Sequence, residues 1–291
     1  MSDSVLNALV HLFALVASVN EEGLTSKGKT IVKTYLKRYL NEELLREYFR
    51  LFEDYHEFYH REIHETHQEF PSDSPSLLSF QASNVSKQIK KDLSRKDRIV
   101  VFIQLLEFVN EDEILTEDEN EIIRVVASQF EIRDQEQEHL KILVFGKSID
   151  EIPSSNILLI NNKLREWAET VSWFMKKSEQ KETSKHIYKE NLYGEITILF
   201  LNSINEFVFK YSGAQNLYLE SQKIEAGRLY FLNAGGIIKG PNISPMYYNI
   251  ISKKFFLEQN YIDIQFSGED IEFKFANSDN GIHRFNFSED S

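Results

Sequence analysis

The chain carries the sequence LVASVNE at residues 15–21 and a related sequence, LLEFVNE, at residues 105–111. In each copy an apolar stretch runs into an acidic turn, and Leu-Thr follows at 24–25 and, one residue out of step, at 115–116. Chance similarity between two apolar helices is the alternative, but the shared Val-Asn-Glu favours a duplicated unit of helix, acidic turn and helix. We therefore predict that residues 1–146 form a helical domain with an internal repeat.

Local signals refine this helical domain. Asn41 is suited to cap the start of its third helix, and Asp134 the start of its last. Thr116 and Glu119 have the spacing of a capping box, in which each side chain satisfies an amide that the helix leaves unpaired. Residues 70–86, which begin with several serines and two prolines, are predicted to be a loop.

The second half of the chain changes character, since eight of its eleven glycines follow residue 190. Residues 191–260 contain short apolar segments of period two between glycines, the pattern of a small antiparallel β domain. Residues 147–190 are predicted to be a partly helical connector, with a short strand near 157–160. The expected fold class is α+β and multidomain, with an all-α domain before a small antiparallel β domain.

Composition excludes several functions. The chain has no cysteine, and therefore no disulfide, catalytic thiol or thiolate metal ligand. Its net charge of −13 argues against nucleic acid as a partner. Residues 5–19 carry no formal charge, but they are short for a bilayer span and lack the basic start of a signal peptide. We predict a buried helix there and a cytoplasmic protein.

Residues 23–30, GLTSKGKT, match the phosphate-loop pattern G-x-x-x-x-G-K-[ST]. In such a loop the backbone amides would cradle phosphates, Lys29 would contact the outer phosphates and Thr30 would bind magnesium. This chemistry requires a strand before the loop, whereas the preceding residues have helical spacing. The favoured interpretation is a turn between helices.

Residues 56–60, HEFYH, match the zinc-hydrolase pattern H-E-x-x-H on a predicted helix. His56 and His60 would bind zinc, Glu57 would act as general base, and His64 would be a further ligand. Aromatic residues already supply the core face of this helix, so the histidines are predicted to lie on its solvated side. A zinc hydrolase is therefore the less favoured function.

Residues 110–121 contain seven acidic residues and no basic residue. Such a run usually forms a solvated face. The alternative is a cation-sensing helical module in which the two acidic turns bind a hard cation such as calcium. Its ligands would be Glu21, Glu22, Asp112 and Glu113.

The duplicated unit over about residues 5–145 resembles the TerB-like helical domain of tellurite-resistance proteins. The resemblance rests on VNEEGLT at 19–25 and VNEDEILTEDE at 109–119. Family members usually have Asp-Gly in this turn and a glutamate at the start of the next helix, and Glu119 keeps that glutamate. The resemblance implies a helical domain whose acidic turns are the proposed metal-binding positions.

Residues 192–257 resemble a degenerate forkhead-associated β sandwich. The matching residues are LYL at 217–219 and IIKG at 237–240, which Ile243-Ser244 follows. Lys239 stands where the family has arginine. The resemblance implies a small recognition domain, in a family that binds phosphothreonine.

DIEFKF at 270–275 and NGIHRFNFS at 280–288 resemble the opening hairpin of an ABC-transporter ATPase domain. In that family an aromatic residue near the end of the first strand stacks on adenine, and Phe275 is the matching position. The order of the three resemblances is that of the N-terminal half of a large ABC-transporter-like ATPase of Bacteroidetes type. Residues 261–291 would then be the start of a truncated ATPase domain.

The resemblances imply a non-catalytic regulatory or docking region. Its partners would be the downstream ATPase domain and the transporter's membrane domain, at the inner face of the membrane. The longer protein would bind ATP and magnesium and hydrolyse ATP to drive transport, with no cofactor expected in the present chain. Residues 261–291 carry much apolar surface for one hairpin, so self-association through them is also expected.

Overall fold

The computed structural model describes residues 3–19, 26–37, 39–64, 76–112, 115–146, 149–163, 185–256, 265–274 and 281–290. These residues form an α+β fold, as the sequence predicted, in which helices come first and a mainly antiparallel β region follows. The chain divides into two compact units, Met1–Tyr248 and Asn249–Ser291.

The first unit begins with seven α-helices. They are α1 (Asp3–Ala17), α2 (Ser26–Lys37), α3 (Glu42–His64), α4 (Leu77–Lys90), α5 (Arg95–Val109), α6 (Glu117–Gln129) and α7 (Asp134–Phe145). Short 3-10 turns span Asn110–Asp112 and Ile149–Glu151.

Side-chain caps fix where several helices begin. The Asn41 carboxamide oxygen accepts hydrogen bonds from the Glu43 and Leu44 amides at the start of α3, as predicted. Thr116 and Glu119 form both halves of the predicted capping box on α6. The first residue of α7 is Asp134, so the cap position belongs to Arg133, which makes no side-chain cap hydrogen bond.

The core of the helical layer is built around α1. Eleven of its fifteen residues are buried, because it is apolar on all sides and packs against α3, α4 and α5. Phe13 of α1 stacks on Phe108 of α5, with ring centroids 4.1 Å apart. The predicted buried helix near the N-terminus is therefore confirmed, and the first helices of the two repeat copies lie against each other.

The predicted loop at 70–86 is wrong over its second half, where α4 begins at Leu77. Ser76 accepts a hydrogen bond from the Ser79 amide and so caps this helix. Its buried face contains Ala82, Val85 and Ile89 at helical spacing. The serines and prolines just before it obscured this periodicity.

The β region of the first unit contains nine strands. They are β1 (Ile157–Asn161), β2 (Lys185–Tyr188), β3 (Glu195–Leu201), β4 (Glu206–Ser212), β5 (Tyr218–Leu219), β6 (Gln222–Lys223), β7 (Leu229–Leu232), β8 (Ile237–Gly240) and β9 (Ile243–Tyr247). A five-stranded sheet has the order β2-β1-β3-β4-β7, and a four-stranded sheet has the order β6-β5-β8-β9. Only β1 and β2 pair in parallel among these described strands.

One face of the five-stranded sheet packs on the helices. Leu199 and Leu201 of β3, Val208 of β4 and Leu229 of β7 belong to the same hydrophobic core as the helical residues. Intervening β3 residues such as Ile198 are also buried, so this strand is covered on both faces. The helical layer and this sheet therefore share one core.

The second unit begins within α8 (Tyr248–Phe256), whose first residue is the last residue of the first unit. It contains β10 (Gln265–Lys274) and β11 (Gly281–Asp290), which pair as an antiparallel hairpin. The register shifts twice, between Gly268 and Ile271 and between Ile271 and Phe273. A hairpin at this position was predicted from the sequence.

None of the described helices has both the length and the apolar character needed to cross a bilayer.

Candidate functional site

The described part of the phosphate-loop pattern, residues 26–30, lies in a helix. Gly28, Lys29 and Thr30 lie inside α2, and the preceding element is α1, a helix where a phosphate loop needs a strand. The Lys29 ammonium donates to Glu53 of α3 over 2.7 Å. The Thr30 hydroxyl donates to the Ser26 carbonyl over 2.9 Å. The two groups that would contact phosphate and magnesium are thus engaged within and between helices.

The histidine pattern also lies in a helix, α3, but His56 is only 7% exposed. The prediction that it lies in solvent is wrong, because α1 packs against this side of α3. Burial lowers the pKa of His56, and a hydrogen bond to the Ala17 backbone opposes that shift. Glu57, the proposed general base, instead pairs with Arg61 one turn later over 2.8 Å.

A second imidazole completes this contact between α1 and α3. His11 of α1 stacks on Tyr55, with ring centroids 3.6 Å apart, and its Nδ1 lies 3.1 Å from the Tyr59 hydroxyl. Burial lowers the pKa of His11 to about 4. His56 and His60 have ring centroids 5.7 Å apart. Across the described residues, no group of three or more histidine, aspartate or glutamate side chains is placed to hold one metal ion.

The predicted cation ligands fall almost wholly outside the described residues. Glu21, Glu22 and Glu113 are outside them, and Asp112 is described only by its backbone in a 3-10 turn. The calcium hypothesis at these four positions therefore stays a prediction.

Several other acids of the 110–121 run have structural partners. Glu111 pairs with Arg228 of the β region, and Glu117 pairs with Arg124 of its own helix. Glu121 accepts hydrogen bonds from the hydroxyls of Ser76 and Ser79 at the start of α4, which lower its pKa against the opposing effect of burial. The acidic run is thus partly used to join helices to each other and to the sheet.

One buried and three half-buried charged residues join the helical layer to the five-stranded sheet. Glu107 of α5 is 4% exposed, and its carboxylate accepts a 2.7 Å hydrogen bond from the Leu229 amide at the start of β7. Arg228 lies 4.0 Å from the same carboxylate and pairs closely with Glu111. The Lys210 ammonium of β4 donates to two carbonyls near the end of α7. We call Glu107, Glu111, Arg228 and Lys210 the helix–sheet junction.

The sequence could not reveal this junction, because Glu107 and Leu229 are 122 positions apart. Glu107 lies in the repeated sequence at 105–111, but its counterpart in the first copy is Ala17, so the repeat does not mark it. The one available signal was an acidic residue, Glu107, inside the apolar run of α5, since a buried charge requires a partner.

Three loops meet at one end of the β region. Gln215 holds them together, because its side-chain amide donates to the carbonyls of Asn191 and Pro241, each over 3.2 Å. Its side-chain oxygen accepts from the Tyr193 amide over 3.1 Å. The Tyr211 hydroxyl donates to the Tyr193 carbonyl over 2.8 Å. We call residues 189–193, 213–217 and 241–244 the loop face.

The loop face carries a lysine with a neutral partner. The Lys189 ammonium donates to the Ser244 hydroxyl over 2.7 Å, and burial lowers its pKa. Within the described residues, no carboxylate pairs with it. Tyr193, four positions later in the same loop, is 65% exposed. The loop face thus presents the Lys189 ammonium, the exposed Glu190 carboxylate, the Ser244 hydroxyl and the Tyr193 ring on hydrogen-bonded loops, which suits recognition of a partner better than bond-making chemistry.

The predicted adenine-stacking residue, Phe275, lies outside the described residues, between β10 and β11. Its role stays a prediction.

Comparison with known proteins gave no match. No protein-family model, curated protein or solved structure matches this chain.

Proposed function

We propose that this chain is a non-catalytic regulatory or docking region that precedes the ATPase cassette of an ABC-transporter-like protein. The observation that carries the proposal is the position of Lys29, which pairs with Glu53 from within a helix. A working phosphate loop keeps this lysine available for the outer phosphates. The pairing supports a structural role for residues 26–30. The resemblance of residues 270–275 and 280–288 to the opening hairpin of an ATPase domain supports a cassette after this region.

The helix–sheet junction supports the docking role. A docking region binds better when its contact surfaces are held in one arrangement, because less conformational freedom is lost on binding. The shared core and the charges of the junction give the helical layer and the sheet that relation.

The loop face is the proposed docking surface within this region. Lys189 is partly desolvated beside a neutral hydroxyl, so an acidic group on a partner would supply the missing counter-charge. The ATPase domain or the transporter's membrane domain would provide that group.

Calorimetric titration of magnesium-ATP into this chain tests the nucleotide part of the proposal. We expect little or no heat at micromolar ATP, and the same result for Lys29→Ala. Lys33→Ala is the matched control, because Lys33 lies on the same helix but outside the pattern and contacts the Phe49 ring. Micromolar binding that is lost in Lys29→Ala and kept in Lys33→Ala would overturn the proposal.

The docking part is tested in the longer ATPase that the proposal implies. We expect a strand and a phosphate loop to follow, and Lys189→Glu to change the ATPase rate without changing the melting temperature. Lys91→Glu, an equal charge reversal at an exposed position of the helical layer, should leave the rate unchanged. The same rate in wild type and Lys189→Glu would contradict docking through the loop face.

A further inference from the structure

The contact between α1 and α3 contains an imidazole nitrogen without a hydrogen-bond partner. His56 is 7% exposed, and its Nε2 atom, which is closed to solvent, has no such partner among the described residues. A buried polar atom without a partner costs free energy, so such atoms are rare in folded proteins and require an explanation. A ligand that binds at Nε2 would provide one.

The other ring nitrogen of His56 determines what Nε2 can bind. Burial lowers the pKa of His56 and keeps the ring neutral near pH 7, whereas a hydrogen bond to the Ala17 backbone raises it. A bond that raises this pKa stabilises the charged ring, so the ring donates to the Ala17 carbonyl. Since Nε2 is unpaired, the donor is Nδ1. Nε2 therefore carries a lone pair, which is the group that binds a metal ion.

A second imidazole lies one helical turn further along α3. The ring centroids of His56 and His60 are 5.7 Å apart, with 25° between the ring planes. Two imidazoles that bind one ion through Zn–N bonds of about 2.0–2.1 Å have ring centroids no more than about 6 Å apart. The observed separation is within this limit. His60 is half-buried, so its side chain can turn to let an ion reach Nε2 of His56.

The chemistry of these ligands selects the ion. Neutral imidazole suits zinc, nickel and copper, whereas calcium and magnesium prefer oxygen ligands. A metal-bound imidazole usually donates its other N–H to a carbonyl or carboxylate, as His56 already does. The charged groups that face His56 are Lys29 of α2 and Glu53 of α3. They pair with each other over 2.7 Å, so their charges largely offset one another.

We propose that His56 and His60 bind one transition-metal dication of the zinc or nickel type, with water as the remaining ligands. The site differs from that of a zinc hydrolase, because Glu57 is exposed and pairs with Arg61. Through the carbonyl of Ala17, the bound ion would hold the end of α1 against α3. The proposal is independent of the docking role, since none of these residues belongs to the loop face.

Calorimetric titration of Ni²⁺ into protein without a histidine tag tests the proposal, in excess magnesium to occupy carboxylates. We expect one ion per chain and a rise in melting temperature, because binding favours the folded state. Loss of one of two ligands should cost at least as much as loss of an outer partner, about tenfold. His60→Gln and His56→Gln should each weaken Ni²⁺ binding by that factor or more and remove the rise.

The matched control is His64→Gln, at the last residue of the same helix. It should leave the Ni²⁺ affinity and the rise in melting temperature unchanged, and melting without metal shows which variants fold. If His56→Gln fails to fold, the contrast between His60→Gln and His64→Gln decides. Absence of binding, wild-type affinity in a folded His56→Gln, or an equal loss in His60→Gln and His64→Gln would each overturn the proposal.

Discussion

The helix–sheet junction and the outer surface of α2 and α3 use the same residue types for different purposes. At the junction, Glu107 is buried and meets groups from a distant part of the chain. On the outer surface, Lys29 pairs with Glu53 and Glu57 pairs with Arg61, and the side chains of both pairs remain at least 39% exposed. Lys29 and Glu57 each belong to a sequence pattern of a catalytic site, whereas no residue of the junction does.

Charged residues therefore determine the fold where they are buried and contribute little to it where they are exposed. Exposed ion pairs contribute little, because water solvates both partners well in the unfolded chain. A buried carboxylate costs free energy unless its partners are in place, so it fixes the arrangement of the layers that supply them. The following predictions test this ranking.

Glu107→Ala should have the largest effect. It leaves the buried Leu229 amide without its acceptor, whereas Arg228 keeps Glu111 as a partner, so we expect the free energy of unfolding to fall by about 1–3 kcal/mol. Urea unfolding measures this loss. Glu57→Ala is the exposed counterpart and should change stability by less than about 1 kcal/mol. Equal effects of the two substitutions would contradict the ranking.

Mild acid should have the next largest effect, through the imidazoles between α1 and α3. The unfolded chain protonates His11 near its ordinary pKa of 6.5, whereas the folded protein does so only at about 4. The unfolded state therefore binds more protons between these values. The contribution to stability is complete above pH 6.5 and is lost as the pH falls toward 4.

Between pH 7 and pH 5 this effect should lower the free energy of unfolding by about 1 kcal/mol, since partial solvation screens the imidazole. Urea unfolding at both pH values measures it. His11→Gln should flatten the dependence, and an unchanged slope in that variant would assign the acid sensitivity to other groups.

The sequence predicted interactions between nearby residues well and interactions between distant residues poorly. Thr116, Glu119 and Asn41 act within one helical turn, and their caps were predicted correctly. The α4 helix was missed in part, because the residues just before it are typical of loops. The burial of His56 depends on where α1 packs, which no local pattern specifies.

The candidate site was less predictable than the fold. The loop face depends on Gln215, whose partners Asn191 and Pro241 lie in two other loops. Lys189 and Ser244 are 55 positions apart, next to strands of two different sheets, and only the folded β region brings them together. Of the two visible patterns, residues 26–30 lie within α2 and residues 56–60 lie within α3, where Lys29 and Glu57 pair with other helix residues.

Lys29→Ala should have a small effect on stability. Its ion pair with Glu53 is between side chains that are 44% and 39% exposed, so we expect a change of about 0–1 kcal/mol. Thermal melting at low and high salt measures it, and the difference from wild type should shrink as salt rises. A loss above 2 kcal/mol would show that this pair belongs with the buried charges.

Deletion of residues 261–291 should have the smallest effect on the first unit. These residues belong to the second compact unit, so the melting temperature of the helical layer should be unchanged. Sedimentation should show less self-association, because the deletion removes the hairpin's unpaired edges. Unfolding of the shortened chain would show that the boundary is misplaced.

Native-state hydrogen exchange tests most directly whether the helical layer and the five-stranded sheet are one cooperative unit. We expect the most protected amides of α5 and of β4 to open with the same free energy, because both elements contribute to one core. In Glu107→Ala the two values should fall together. If the β4 amides open at a markedly lower free energy while α5 keeps its protection, the two layers fold separately and do not form one cooperative unit.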